Sequence, residues 1–219
     1  MQAGTKAAAK KAGRVEEAQR TREALVAAAT QLFVEQGLSG PSLDAICARA
    51  GFTRGAFYVH FRTRDDLIAA VVESAMGGFI DAMMQSGEAG ADLATIVRTF
   101  AAVLRAGPLP FVGRVRGHQI MEACIRSPTL RQKYNELLAH ARDRLSDTVR
   151  RGQAAGTIRG DVDPHAIAQL LLALVLGAHT ASEIGVPYDA DRVGEDVLRM
   201  LAPLEPAGTT GKTARSRRG

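Results

Sequence analysis

Residues 42–61 of the chain read SLDAICARAGFTRGAFYVHF, and here side chains suited to one kind of chemistry are closely spaced. Thr53, Arg54, Tyr58 and His60 can all donate hydrogen bonds, with the Ser42 hydroxyl upstream and the Arg64 guanidinium downstream. At 100° per residue, a helix starting at Arg54 puts Phe57 and Phe61 on one side. Gly55, Ala56 and Val59 then lie opposite, flanked by Tyr58 and His60. A face of such small residues shields little, but it lets a helix approach another surface closely. The methyls of Ala56 and Val59 can meet a thymine methyl, and Arg54 can reach a guanine edge. Thr53, Tyr58, His60 and Arg64 can hold phosphates on either wall of the groove, and Ser42 and Gly55 are counted with them as the candidate DNA-binding set. This is recognition chemistry rather than catalysis.

Local signals explain how such a face would be presented. Ser42 can cap a short helix running to about Arg49, Gly51 can take the positive φ of a tight turn, and Thr53 can cap the helix that follows. A helix, a short Gly-containing turn and a second helix make the helix-turn-helix arrangement, whose second helix enters a major groove. Upstream, Leu25, Ala28, Ala29, Leu32 and Phe33 form the stripe of a first helix, closed by Gly37. Downstream, Thr63-Arg64-Asp65-Asp66 has the order of a capping box and opens a fourth helix to about Met84.

The run from Gly51 to Leu67, with Phe33, Gly37, Ser42, Ile46 and Ala50 before it, resembles the signature of the tetracycline-repressor (TetR) family of bacterial transcriptional regulators. The strong match covers about residues 20–70. Beyond it the likeness is one of layout, plus a Gly156–Pro164 linker similar to those common in the family. One position departs: the family usually has Lys where Arg64 stands, which exchanges a point charge for a planar fork. The resemblance implies a regulator, by family habit a repressor. It also implies that the later helices form a domain for dimerisation and effector binding.

The rest of the chain is expected to be helical. Amphipathic segments are predicted around Leu93–Leu104, 111–126, Tyr134–Val149, Ile167–Ala178 and Val193–Leu204, and no stretch alternates like a strand. The expected fold is all-α, nine helices in two domains. A basic tail without regular structure (1–18) precedes the helix-turn-helix domain (19–66); an effector-binding and dimerisation domain (67–205) precedes a second such tail (206–219). Residues 1–15 and 206–219 each carry a net +4, so the body between them is slightly acidic despite the overall charge of +5. Bulk charge therefore does not carry the nucleic-acid reading.

Within the second domain, a helix over 165–184 is apolar on a second edge, at Ala168, Leu172 and Leu176, beyond its main stripe. One side of it is expected on its own core. The other is expected on a partner subunit, through Leu172, Leu176, Gly177 and Ala181 with Val193, Val197, Met200 and Leu201 of the last helix. For the effector, a wheel over 111–126 groups Phe111, Val115, His118, Glu122 and Ile125. His118 and Glu122 read either as polar groups of a largely apolar pocket or as a satisfied pair at a core edge. Phe79, Met83, Phe100, Leu104, Tyr134 and Leu138 would supply the walls.

Other classes find little support. Cys47 and Cys124 form no CxxC pair, and the scattered histidines suggest no metal site, so neither metal nor cofactor is expected. No GxSxG, HExxH or dinucleotide loop occurs, and the GKT at 211–213 has Pro206 where a phosphate-binding loop needs its first Gly. The longest near-continuous apolar run, Leu170–Ala178, is well short of the ~20 residues of a membrane span. No signal peptide is read at the N-terminus, and a cytoplasmic location is expected. The partners expected are a double-stranded DNA operator, a second copy of the chain and a small-molecule effector, with no membrane.

Overall fold

A computed structural model describes residues 2–85, 90–106 and 115–204, with side chains from residue 12 onward. The described residues form nine α-helices: α1 Gln2–Gln36, α2 Leu43–Ala50, α3 Arg54–His60, α4 Arg64–Met84, α5 Leu93–Arg105, α6 Gly117–Arg126, α7 Pro128–Ala154, α8 Pro164–Glu183 and α9 Ala190–Leu201. The starts follow the capping chemistry. Ser42, Thr53, Thr63, Asp92, Ser127, Asp163 and Asp189 each accept a backbone N–H of the first turn, and Pro128 and Pro164 sit just inside α7 and α8. At Thr63 the box closes in both directions, because the Asp66 carboxylate accepts the Thr63 N–H.

Two regions differ from the sequence reading. The first 18 residues were expected to lack regular structure, but α1 begins at Gln2, in a stretch rich in alanine, the strongest helix former. Of the segment expected as a helix over 111–126, the described part starts at Val115, and α6 starts at Gly117 with Arg116 extended as its N-cap. Val115 therefore precedes the helix, and Phe111 lies outside the described residues. So does the basic stretch 206–219.

One apolar cluster joins Leu25, Phe33, Ile46, Phe57 and Phe61 of the three N-terminal helices to Leu67, Ile68 and Val71 of α4. It continues into Val115, Ile120 and Cys124, and into Leu130 and Tyr134 of α7. The other clusters lie among the second half of α4, α5, α7, α8 and α9. Helix α4 thus has its first half in one core and its second half in another. By length and mean hydropathy α4 and α8 are each apolar enough to cross a bilayer. For α4 that composition reflects burial, with Leu67–Val72 enclosed in the first cluster.

Candidate nucleic-acid interface and effector cavity

The turn between α2 and α3 is built on Gly51, whose φ of 76° lies in the left-handed region. Its N–H bonds to the Ala48 carbonyl at 3.1 Å, and the Phe52 N–H bonds to the Cys47 carbonyl at 2.9 Å. This reversal fixes how α3 leaves α2. Phe57 and Phe61 are buried against α1, α2 and α4, with their rings 5.5 Å apart. The opposite face is bare. Tyr58 is 56% exposed, Val59 77% exposed, and Gly55 exposed beside them. A Cβ at Gly55 would meet only the Thr53 hydroxyl, at 3.5 Å, so the fold itself does not require glycine there.

Each polar candidate has a definite place. Ser42 and Thr53 accept the N–H groups of Ala45 and Ala56 at 3.1 and 3.3 Å, which leaves each hydroxyl its own proton to donate. Arg54 reaches back to Asp44, Nε to Oδ1 at 2.8 Å, an exposed pair that costs little to open. His60 is half-buried at the end of α3 and lines a cleft with Arg22, Arg62, Asp66, Glu73 and Lys133 at the junction of the two domains. Arg64 does not join the exposed face. Its Nη2 donates to the carbonyls of Leu38 and Pro41 at 2.8 and 3.1 Å, and its guanidinium lies 5.7 Å from the Phe33 ring centre. It clamps the α1–α2 turn. The planar fork that sets Arg apart from Lys suits that stacked geometry.

A second feature lies among α4, α5, α7, α8 and α9. It is a cavity of about 120 Å³, lined by aliphatic and aromatic side chains and one tyrosine. Phe79, Met83, Phe100 and Leu104, four of the expected wall residues, line it. The others do not. Tyr134 and Leu138 pack in or against the first cluster, Val115 is buried there, and His118 and Glu122 point elsewhere. The inward side of α6 is Gly117, Ile120, Ala123 and Cys124, which turns His118 and Glu122 outward. Glu122 pairs with Arg126 at 3.0 Å.

His118 has a partner that its own helix does not supply. Glu183, at the end of α8 with its side chain 4% exposed, accepts the N–H of Gly117 at 2.5 Å and the N–H of His118 at 3.2 Å, and lies 3.0 Å from His118 Nδ1. Buried His179, one turn before it, has Nε2 at 3.2 Å from the same carboxylate. Burial pushes the Glu183 carboxyl upward, but the bonds from His118 and the two backbone N–H groups outweigh it and hold the group below its ordinary range. The His179 imidazole is held low by burial, against the pull of Glu183.

The proposed interface residues divide. Leu172, Val193 and Val197 line the cavity, together with Leu171, Val175 and Tyr188, which sequence reasoning missed. Leu201 is buried in its own subunit. Leu172 also joins Leu176, Ala173 and Leu138 along an outer groove between α7 and α8. Gly177 is exposed with open space about it, Ala181 is half-buried, and Leu170, Met200 and Leu204 are exposed. The apolar periodicity marked two edges on α8, and the structure turns part of that surface to the cavity and leaves Leu170 and Gly177 exposed. The periodicity did not show which side is which.

Comparison with known proteins defines the class. The family profile described as bacterial regulatory proteins, tetR family, matches residues 25–71, and the tetracyclin repressor-like C-terminal domain matches 92–193. The regulator SrpR of Pseudomonas putida is 45% identical over 58 residues, 26% of this chain and 27% of that protein. That match therefore spans about a quarter of the relative's length. The structure of SmeT, the repressor of the Stenotrophomonas maltophilia multidrug efflux pump SmeDEF, is 30% identical, covers 82% of this chain and 87% of its own, and superposes with a TM-score of 0.55. GusR of Salmonella enterica shares the fold at 24% identity and a TM-score of 0.65, covering 83% of this chain and 95% of its own. The chain belongs to the TetR family.

Proposed function

We propose that the protein is a homodimeric, sequence-specific DNA-binding regulator that a small, largely apolar effector releases from its operator. The observation that carries this reading is the face of α3, where exposed Gly55 and Val59 lie opposite a buried Phe pair and exposed Tyr58 flanks them. Exposing Val59 and Tyr58 on a helix whose other side is core has no benefit to the fold, whereas a major groove would cover both. Arg54, Thr53 and Ser42 flank this face with donors for base edges and phosphates. A repressor reading is supported by SmeT, which is named as a repressor.

Dimerisation rests on the apolar groove of Leu138, Leu172, Ala173 and Leu176 and on exposed Leu170 and Met200. A two-fold axis through this side would set two copies of α3 about 34 Å apart, one turn of DNA, and favour a palindromic operator. Effector control would run through α4. Phe79 and Met83 line the cavity while Leu67–Val72 of the same helix pack on the three-helix unit. A ligand that favours one position of α4 shifts the spacing of the recognition helices, provided it binds the DNA-incompetent state more tightly.

The test is fluorescence anisotropy of the purified chain on the DNA immediately upstream of its own gene, beside a scrambled duplex. A preference of ~10³-fold or more at physiological salt is expected. Tyr58→Ala should reduce the specific affinity and leave the fold intact. Equal affinity of that variant for the preferred duplex would overturn the assignment of α3.

A further inference from the structure

The cavity among α4, α5, α7, α8 and α9 has a chemical character beyond being apolar. Among the described residues not one charged side chain lines it, and Tyr188 is the only lining residue with a hydroxyl or amide side chain. Three ion pairs join the surrounding helices. Arg98 pairs with Glu195 at 2.8 Å and Arg105 with Asp191 at 3.2 Å across α5 and α9, while Arg144 pairs with Asp81 across α7 and α4. None of these six residues lines the cavity. Among the described residues, a ligand carrying a carboxylate or ammonium into this space would find no counter-charge, and burying such a group unpaired is costly. The free volume, about 120 Å³, is close to the ~150 Å³ of an engineered apolar cavity that accepts benzene.

Resting on the reading of this cavity as the effector site, we infer that it selects an uncharged molecule of about one ring, with a single hydrogen-bond acceptor met by the Tyr188 hydroxyl. Burial holds the Tyr188 phenol above its ordinary range, so it remains a donor at neutral pH. Tyr188 lies on the connection between α8 and α9, and packs in one cluster with Phe100 of α5 and Ala190 of α9. The same cluster holds Ala178 of α8, so Tyr188 touches a core shared by three helices.

Three compounds of nearly one shape separate the possibilities: ethylbenzene, with no acceptor; acetophenone, neutral with a carbonyl; and benzoate, charged. Binding is read on the full-length protein by calorimetry and by thermal stabilisation, without DNA. A failure here thus stands apart from a failure to find an operator. Acetophenone is expected to bind most tightly, and benzoate at least ~100-fold more weakly because its charge would be buried unpaired. Tyr188→Phe should weaken acetophenone about five- to tenfold and leave ethylbenzene within about twofold. Benzoate binding as tightly as acetophenone would overturn the inference. So would equal effects of Tyr188→Phe on acetophenone and ethylbenzene, or no binding by any of the three.

Discussion

Replacing Glu183 should reveal how firmly the end of α8 holds the start of α6. Its carboxylate accepts two backbone N–H groups, from Gly117 and His118, that α6 cannot satisfy within itself. Hydrogen bonds to a buried charged group contribute about 1.5–3 kcal/mol each, so these two are worth about 3–6 kcal/mol before any offset. The His118 side chain is 65% exposed and adds little more. Glu183→Ala also relieves the desolvation of a buried carboxylate, which offsets part of the loss. We expect a net destabilisation of about 2–4 kcal/mol at neutral pH, and a smaller one for Glu183→Gln, which keeps one acceptor oxygen. Urea unfolding followed by far-UV circular dichroism measures both. A loss below about 1 kcal/mol for Glu183→Ala would refute the reasoning, because the α6 N–H groups would then have found water at no cost.

Acid should find the same cluster. His179 is held below its ordinary value of 6.5, so the unfolded chain binds its proton first. That contribution is fully present above about pH 6.5 and is lost as pH falls through the folded value. Glu183, held below 4.5, contributes above that value and loses its share further down, a second step that Glu183→Gln should lack. Arg64→Ala, which frees the carbonyls of Leu38 and Pro41, should cost about 2–4 kcal/mol in urea melts. If Arg64 is a clamp, DNA affinity per folded molecule should change little at low temperature. Gly55→Leu should leave the melt within about 1 kcal/mol, since only the Thr53 hydroxyl is near. It should lower operator affinity at least tenfold in anisotropy titrations, and unchanged affinity would mean that α3 does not approach a groove at Gly55. Residues 12–20 of α1 are exposed, and the first 15 residues hold four bases and no acid. Changing Lys6, Lys10, Lys11 and Arg14 to Gln should reduce the slope of log affinity against log salt by about 0.9 for each phosphate no longer neutralised, with sequence preference retained.

Local chemistry was the most legible part of this chain. Ser42, Thr53 and Thr63 announced three helix starts, Gly51 the turn, and the Phe57–Phe61 spacing the buried side of α3. Each is decided within a few residues, by a hydroxyl reaching an N–H, a backbone needing positive φ, or two side chains four apart on a helix. The all-α fold and the exposed face of α3 followed from the same short-range rules. Arg64 shows where those rules end. Its position in a capping turn was readable, but the carbonyls it clamps lie 26 and 23 residues away in sequence.

The second domain was decided by tertiary packing. Apolar stripes on α5, α8 and α9 required that these helices be covered, but a stripe carries no information about the rotation of one helix against another. That rotation turned Leu172, Val193 and Val197 toward a cavity and left Met200 outside. It also paired His118 with Glu183, 65 residues on, rather than with Glu122 on its own helix. The sequence by itself determined most of the helices, their caps and the outward face of α3, because those depend on neighbours along the chain. The cavity and the buried carboxylate that ties α8 to α6 depend on side chains that meet only when separate helices pack, and only the folded structure decided them.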